Sequence, residues 1–141
     1  MPILEYHLTE GRHTDEQIAE LVLASSHLYA EVLQCPIERV RVAVHLHRPQ
    51  HVAIGGRLVS EGGAAAPWFH FLVLEGRPVE AGQQLLAGFT DLLVRTLGVE
   101  RQQVRGGCRS IPPEHWAIGG TPASVLRATE IRARAEAGVR A

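Results

Sequence analysis

Met1-Pro-Ile-Leu-Glu-Tyr-His-Leu-Thr-Glu-Gly-Arg12 opens the chain, and its layout returns as Pro67-Trp-Phe-His-Phe-Leu-Val-Leu-Glu-Gly-Arg77. In both stretches ten steps separate the Pro from the Arg, and both end in Glu-Gly-Arg. A second match follows, His51-Val-Ala-Ile-Gly-Gly56 with His115-Trp-Ala-Ile-Gly-Gly120. The offsets are 65 and 64 residues, so the halves differ by about one residue. Two separate agreements at nearly one offset imply a tandem duplication of a unit of roughly sixty residues. The pseudo-repeats are 2–56 and 67–120. Residues 57–66 read as the linker between them, ending in the small, flexible Ser60-Glu-Gly-Gly-Ala-Ala-Ala66.

Each unit reads as strand, helix, strand. Leu4, Tyr6 and Leu8 alternate with Glu5 and His7, which predicts a half-buried strand over 3–8. Thr14 and Gln17 form a capping-box pair, with Asp15 and Glu16 in the positive first turn. Ile18, Leu21, Val22, Ser25, Leu28, Tyr29 and Val32 follow at helical spacing, and Pro36 stops the helix near Gln34. Val40, Val42, Val44 and Leu46 then give one face of a second strand, with Arg41, Ala43, His45 and His47 on the other. Pro49 and Ile54-Gly-Gly56 mark a turn or short hairpin. In the second unit 68–74 is almost wholly apolar, as for a strand covered on both faces. A helix follows over 79–97, ended by Gly98. The last strand, 104–108, holds Gly106 and Gly107, which imply close backbone approach and a surface widened for a larger ligand. Thr121-Pro122 reads as cap and first turn of a terminal helix over 121–138, with Val125, Leu126 and Ile131 as a weak apolar stripe.

Right-handed parallel crossovers then predict an α+β fold. Two tandem β-α-β units form a four-stranded sheet with two helices on one face, plus a C-terminal helix. The bare sheet face calls for a neighbouring subunit. The 141 residues suit one compact domain, and 45% hydrophobic content is ordinary for one. No apolar run is long enough to span a membrane, and the N-terminus lacks a signal-peptide pattern, so the expected location is cytoplasmic. A net charge of −1 gives no nucleic-acid footprint. Cys35 and Cys108 fall at non-equivalent places in the repeat and read as two reduced thiols. His45, His47, His51 and His70 gather enough imidazole to raise a metal site, but no Cys or carboxylate spacing supports one. No metal and no cofactor are expected. All fourteen basic residues are Arg, so the chain terminus is the only source of an amine.

In this order the motifs resemble the tautomerase superfamily, and nearest the 4-oxalocrotonate tautomerase group. That group has an initial Pro, Leu-Glu-Gly-Arg, a helix opening Asp-Glu-Gln, then Val-Arg-Val and His-Phe-Gly-Ile-Gly-Gly. Here Pro2, Glu10-Gly-Arg12, Asp15-Glu-Gln17, Val40-Arg-Val42 and His51-Val-Ala-Ile-Gly-Gly56 stand in that order. Leu74-Glu-Gly-Arg77, Val104-Arg105 and His115-Trp-Ala-Ile-Gly-Gly120 repeat it. The resemblance implies a fused subunit that assembles as a homotrimer mimicking a hexamer. It implies Met1 removal, Pro2 as base and Arg77 as carboxylate binder. It implies Arg41 or Arg105 from a neighbouring chain, a wall at Trp116, and Leu74, Ile118 and Tyr29 about the substrate. Several positions depart from the superfamily's dehalogenase branch. That branch's first clamp arginine, helix His, activating Tyr and water-activating Glu fall here on Leu74, Tyr29, Gly107 and Ile118. Hydrolytic dehalogenation is therefore not expected.

The chemistry fits the residues. A terminal prolyl nitrogen is a secondary amine, and an α-amino group titrates near ~8. Cationic neighbours and an apolar wall disfavour its protonated form. An arginine clamps a carboxylate through paired hydrogen bonds and keeps its proton. A second one stabilises the oxygen on which charge develops. The implied reaction is proton transfer within a small 2-oxo or 2-hydroxydienoate acid. The alternatives are a lyase that decarboxylates or hydrates a 3-oxo acid with help from Glu38, and a non-catalytic trimeric binding protein. Pro67 is an internal imide without a basic nitrogen, so one working site is expected per chain, with a vestigial one near Pro67 and Arg12.

Overall fold

A computed structural model describes residues 2–140, so Met1, whose removal the sequence reading expects, lies outside the described residues. In the first unit β1 (Ile3–Thr9), α1 (Asp15–Leu33) and β2 (Arg41–His47) form a parallel crossover, with Ile3 opposite Arg41 and Thr9 opposite His47. The capping box is in place: the Gln17 amide donates to Thr14 Oγ1 at 3.1 Å, and the Thr14 amide donates to Gln17 Oε1 at 2.9 Å. A hairpin of β3 (Ala53–Ile54) and β4 (Arg57–Leu58) leads to the second unit, β5 (Trp68–Leu74), α2 (Val79–Leu97) and β6 (Arg105–Ile111). The chain closes with β7 (Ala117–Ile118), β8 (Thr121–Pro122), α3 (Ala123–Leu126) and α4 (Ala128–Arg140). The sheet order is β2-β1-β5-β6, and β1 meets β5 antiparallel at its centre.

Alternation puts Leu4, Tyr6 and Leu8 of β1 and Phe69, Phe71 and Val73 of β5 on one face, all buried. Leu21, Tyr29 and Leu33 of α1 and Leu85, Phe89 and Leu93 of α2 pack onto them. Phe89 sits edge-on to Tyr6, Tyr29, Phe69 and Phe71 with centroids 5.2 to 6.4 Å apart, the geometry the ring quadrupole favours. The Tyr6 hydroxyl reaches Ser25 Oγ at 2.7 Å, so its burial leaves no polar atom unpaired. Both strands carry half-buried residues on the opposite face, so β5 is covered on one side within this chain.

Other sequence expectations change as well. β6 runs to Ile111, past the expected 104–108. The room left by Gly106 belongs to the core, because an added Cβ there would lie 2.3 Å from Phe69 Cζ; Gly107 has nothing within 4 Å. The expected linker is ordered over its first half. β4 pairs with β3, Val59 is buried, and a Cβ on Gly63 would meet the Arg57 carbonyl at 2.6 Å. The terminal helix does not begin at Thr121, because Thr121–Pro122 pairs with Ala117–Ile118 as a strand. Helix starts at Ala123 and is interrupted at Arg127, whose φ and ψ are −115° and 17°. Its Val125 and Leu126 stay exposed.

On the bare sheet face His7 stacks on His45, His47, His70 and Trp68 at 4.8 to 5.2 Å. His51, expected near this group, sits on the turn Pro49–His51 instead. Among the described residues no group of three or more His, Cys, Asp or Glu is placed to hold a metal, and no helix is long and apolar enough to cross a membrane.

Candidate active site

The antiparallel join decides where the chemistry collects. With Leu4 opposite Phe71 and His7 opposite Trp68, the start of β1 lies beside the end of β5. That register carries Pro2 to the turn holding Arg77, although 75 residues separate them in sequence. Pro2 is buried, and its carbonyl accepts from the Arg41 amide at 2.9 Å. It lines a small cavity with Leu74, Arg77 and Ile118, four of the residues the sequence singled out.

Three further residues of that cavity come from the end of α1 and the turn after it: Leu33, Cys35 and Arg39. The rest are Arg127, at the break between α3 and α4, and Glu130, Ile131 and Arg134 of α4. The cavity measures about 30 Å³ with α4 seated over it. Sequence reasoning missed this helical wall because it looked for an apolar stripe. The usable signal was polar: Arg127, Glu130 or Ile131, and Arg134 recur at the spacing that shares one helix face.

The site is strongly cationic. Arg39 donates through both terminal nitrogens to the two Glu130 oxygens at 3.0 Å, and Arg127 approaches the same carboxylate at 3.5 Å. The Arg39 hydrogen bonds hold the Glu130 carboxyl below its usual range, and Glu130 in turn raises Arg39. Arg77 donates to the Leu33 carbonyl at 2.8 Å. Burial, and after it the nearby Arg134 guanidinium, lowers the proton affinity of Arg77, which still stays charged near neutral pH.

The remaining predicted residues stand elsewhere in the chain. Arg41 and Trp116 line a neighbouring groove with Glu38, and that groove shares Arg39, Ile118 and Arg127 with the Pro2 cavity. Arg105 bonds its own turn, donating to the Gln102 carbonyl at 2.7 Å. Tyr29 is fully buried, and its hydroxyl donates to the Leu72 carbonyl and, at 3.3 Å, to the Ile3 carbonyl. It supports β1 and β5 from beneath and lines no part of the cavity. Burial pushes its hydroxyl above the ordinary tyrosine range. At the other end of the β1–β5 join, Arg12, His13 and Pro67 line a second cavity, the place equivalent to Pro2 and Arg77.

Comparison with known proteins agrees with the tandem repeat and the fold. The tautomerase enzyme family profile matches residues 2–62 and again 67–125. A probable tautomerase of Ralstonia nicotianae is 34% identical over 61 residues, which are 43% of this chain and 87% of that protein. A 2-hydroxymuconate tautomerase of a Pseudomonas species is 41% identical over 61 residues, 43% of this chain and 95% of its own length. Among solved structures, a native fused 4-OT superposes with a TM-score of 0.82 at 28% identity, over 89% of this chain and 98% of its own. A fused 4-OT solved as an asymmetric trimer gives 0.80 at 24% identity, over 88% and 98%, which speaks for the fold alone.

Proposed function

The chain belongs to the tautomerase family, and from that premise we propose that it is an isomerase acting on a small 2-oxo or 2-hydroxydienoate acid. Met1 is removed, and the freed Pro2 nitrogen takes a proton from an enol oxygen or carbon and returns it to another carbon. Arg77 holds the substrate carboxylate. The observation that carries this reading is the shared cavity of Pro2 and Arg77, walled by Leu74 and Ile118. Burial disfavours a prolinium cation there, and so do the guanidiniums, so the neutral amine is the form presented to substrate. The same surroundings leave little room for water, which strengthens the arginine–carboxylate attraction.

A homotrimer belongs to the proposal, with Arg41 or Arg105 of a neighbouring chain completing the site. The bare sheet face supports it, as does the trimeric form in which fused 4-OT relatives were solved. The lyase alternative needs Glu38 near Pro2, but Glu38 is exposed and lines the adjacent groove.

The test is the intact mass of untagged protein, then kinetics. A mass short by one methionine residue is expected. Pro2→Ala then loses about 10²–10⁴-fold in kcat, the range a positioned base supplies. Arg77→Ala raises KM by about ten- to hundredfold, the value of a charged hydrogen bond. Retained Met1, or a Pro2→Ala variant as active as the parent, overturns the assignment.

A further inference from the structure

We propose that Arg134, carried by the C-terminal helix, is a substrate-binding residue that clamps the substrate carboxylate together with Arg77. The inference rests on the isomerase reading of the Pro2 cavity and adds to it a specificity residue supplied by the same chain. The family match ends at residue 125, and α4 begins at Ala128, so the helix lies outside the residues that the family profile matches.

The charge count supports the assignment. Four arginines and one carboxylate line the cavity. The carboxylate, Glu130, is already taken by Arg39 through both oxygens and by Arg127. Arg77 and Arg134 make no ion pair among the described residues, and Arg134 is half-buried. Two like charges thus converge on one cavity beside the proposed base. An anion set between them would relieve the repulsion and satisfy the donor forks of both. A small carboxylate is the chemical class that fits.

The seated helix also restricts entry. About 30 Å³ holds only one or two water molecules. A small acid therefore needs the lining, to which α4 contributes Glu130, Ile131 and Arg134, to move outward. Arg127, the break between α3 and α4, is the natural hinge. Closure would return Arg134 to a carboxylate already resting on Arg77.

The experiment uses the full chain. Steady-state kinetics are measured with 2-hydroxymuconate, and calorimetry measures binding of adipate, a saturated dicarboxylate that cannot tautomerise. Arg134→Ala is expected to raise both KM and the adipate Kd about ten- to hundredfold. Its kcat should stay within about threefold, as for loss of binding shared by ground and transition states. Arg134→Lys restores part of the loss. Arg132→Ala, on the helix face turned away from the cavity, changes neither value. Arg134→Ala with KM and Kd both within about twofold of the parent overturns the proposal. Failure of the isomerase reading looks different: the parent turns over no enol acid, yet binds adipate in an Arg134-dependent way. A parent that binds no adipate and turns over no enol acid sinks both.

Discussion

Gly106 and Tyr29 show how single positions hold the sheet in place. Phe69 lies across β6 because Gly106 offers no side chain, and that ring is one of four against which Phe89 packs. Gly106→Ala should destabilise the fold by about 1–3 kcal/mol, the cost of overpacking a filled core. Gly107→Ala, whose Cβ meets nothing within 4 Å, should be neutral or stabilise by about 0.5–1 kcal/mol through reduced chain entropy. Chemical denaturation of the two variants checks the contrast. The sequence announced a close approach at this pair of glycines, but a pair cannot say which member is pressed. Strand parity answers that: Gly106 faces the helices, and Gly107 faces outward. Tyr29 was open to two roles for a related reason. Its helical position marks a core residue, while its resemblance to a site position points to substrate. Its hydroxyl bonds two strand carbonyls, which is the core role.

At the scale of elements, the strands and the two long helices were legible because their periods are strong. α1 and α2 carry apolar residues at helical spacing, with caps and breakers at both ends. The C-terminal helix was not legible in the same terms. With the Arg127 break before it, it presents Glu130 and Arg134 as well as the apolar Ile131 to a cationic cavity, so the rule of apolar inside and polar outside does not find its inner face. What seats it is partly electrostatic, since Arg39 grips Glu130 from a turn 91 residues earlier in sequence. Both partners are partly exposed, and such pairs are weak, on the order of 1 kcal/mol or less. Glu130→Ala should therefore speed amide exchange across 128–139 by up to about fivefold. Exchange in α2 should not change. Hydrogen exchange with mass spectrometry reads both helices in one experiment, and equal exchange in α4 of parent and variant would refute the role of this ion pair.

For the molecule as a whole, duplication places two equivalent cavities at opposite ends of the β1–β5 join. On the proposal that Met1 is removed, one would carry a free Pro2 nitrogen, whereas Pro67 of the other stays inside a peptide bond. This asymmetry was readable from the repeat alone, whereas the arginine lining needed the folded path of the last helix. The same duplication leaves one sheet face bare, with His7 at its middle. Glu5 faces it from β1, His45 and His47 from β2, and Trp68 and His70 from β5. His7 Nδ1 and His47 Nε2 are hydrogen-bonded at 2.7 Å, while His7 Nε2 is buried with no partner among the described residues. Burial, then the neighbouring imidazoles, lowers the proton affinity of His7 below its usual 6.5. Above 6.5 neither the folded nor the unfolded chain protonates this ring, and stability is unaffected. Below that value the unfolded chain binds a proton that the fold resists, so stability falls as pH falls. Glu5 adds to the loss in a separate, lower window. The His45 hydrogen bond holds its carboxyl below the usual 4.5, so its contribution disappears only under that pH. The unfolding midpoint in urea should thus drop between pH 7.5 and pH 5.5, and His7→Gln should flatten that drop, because an amide keeps a hydrogen-bonding group toward His47 but does not titrate. An equal pH dependence in the His7→Gln variant would move the acid sensitivity to other groups and leave the histidine stack a purely packing feature.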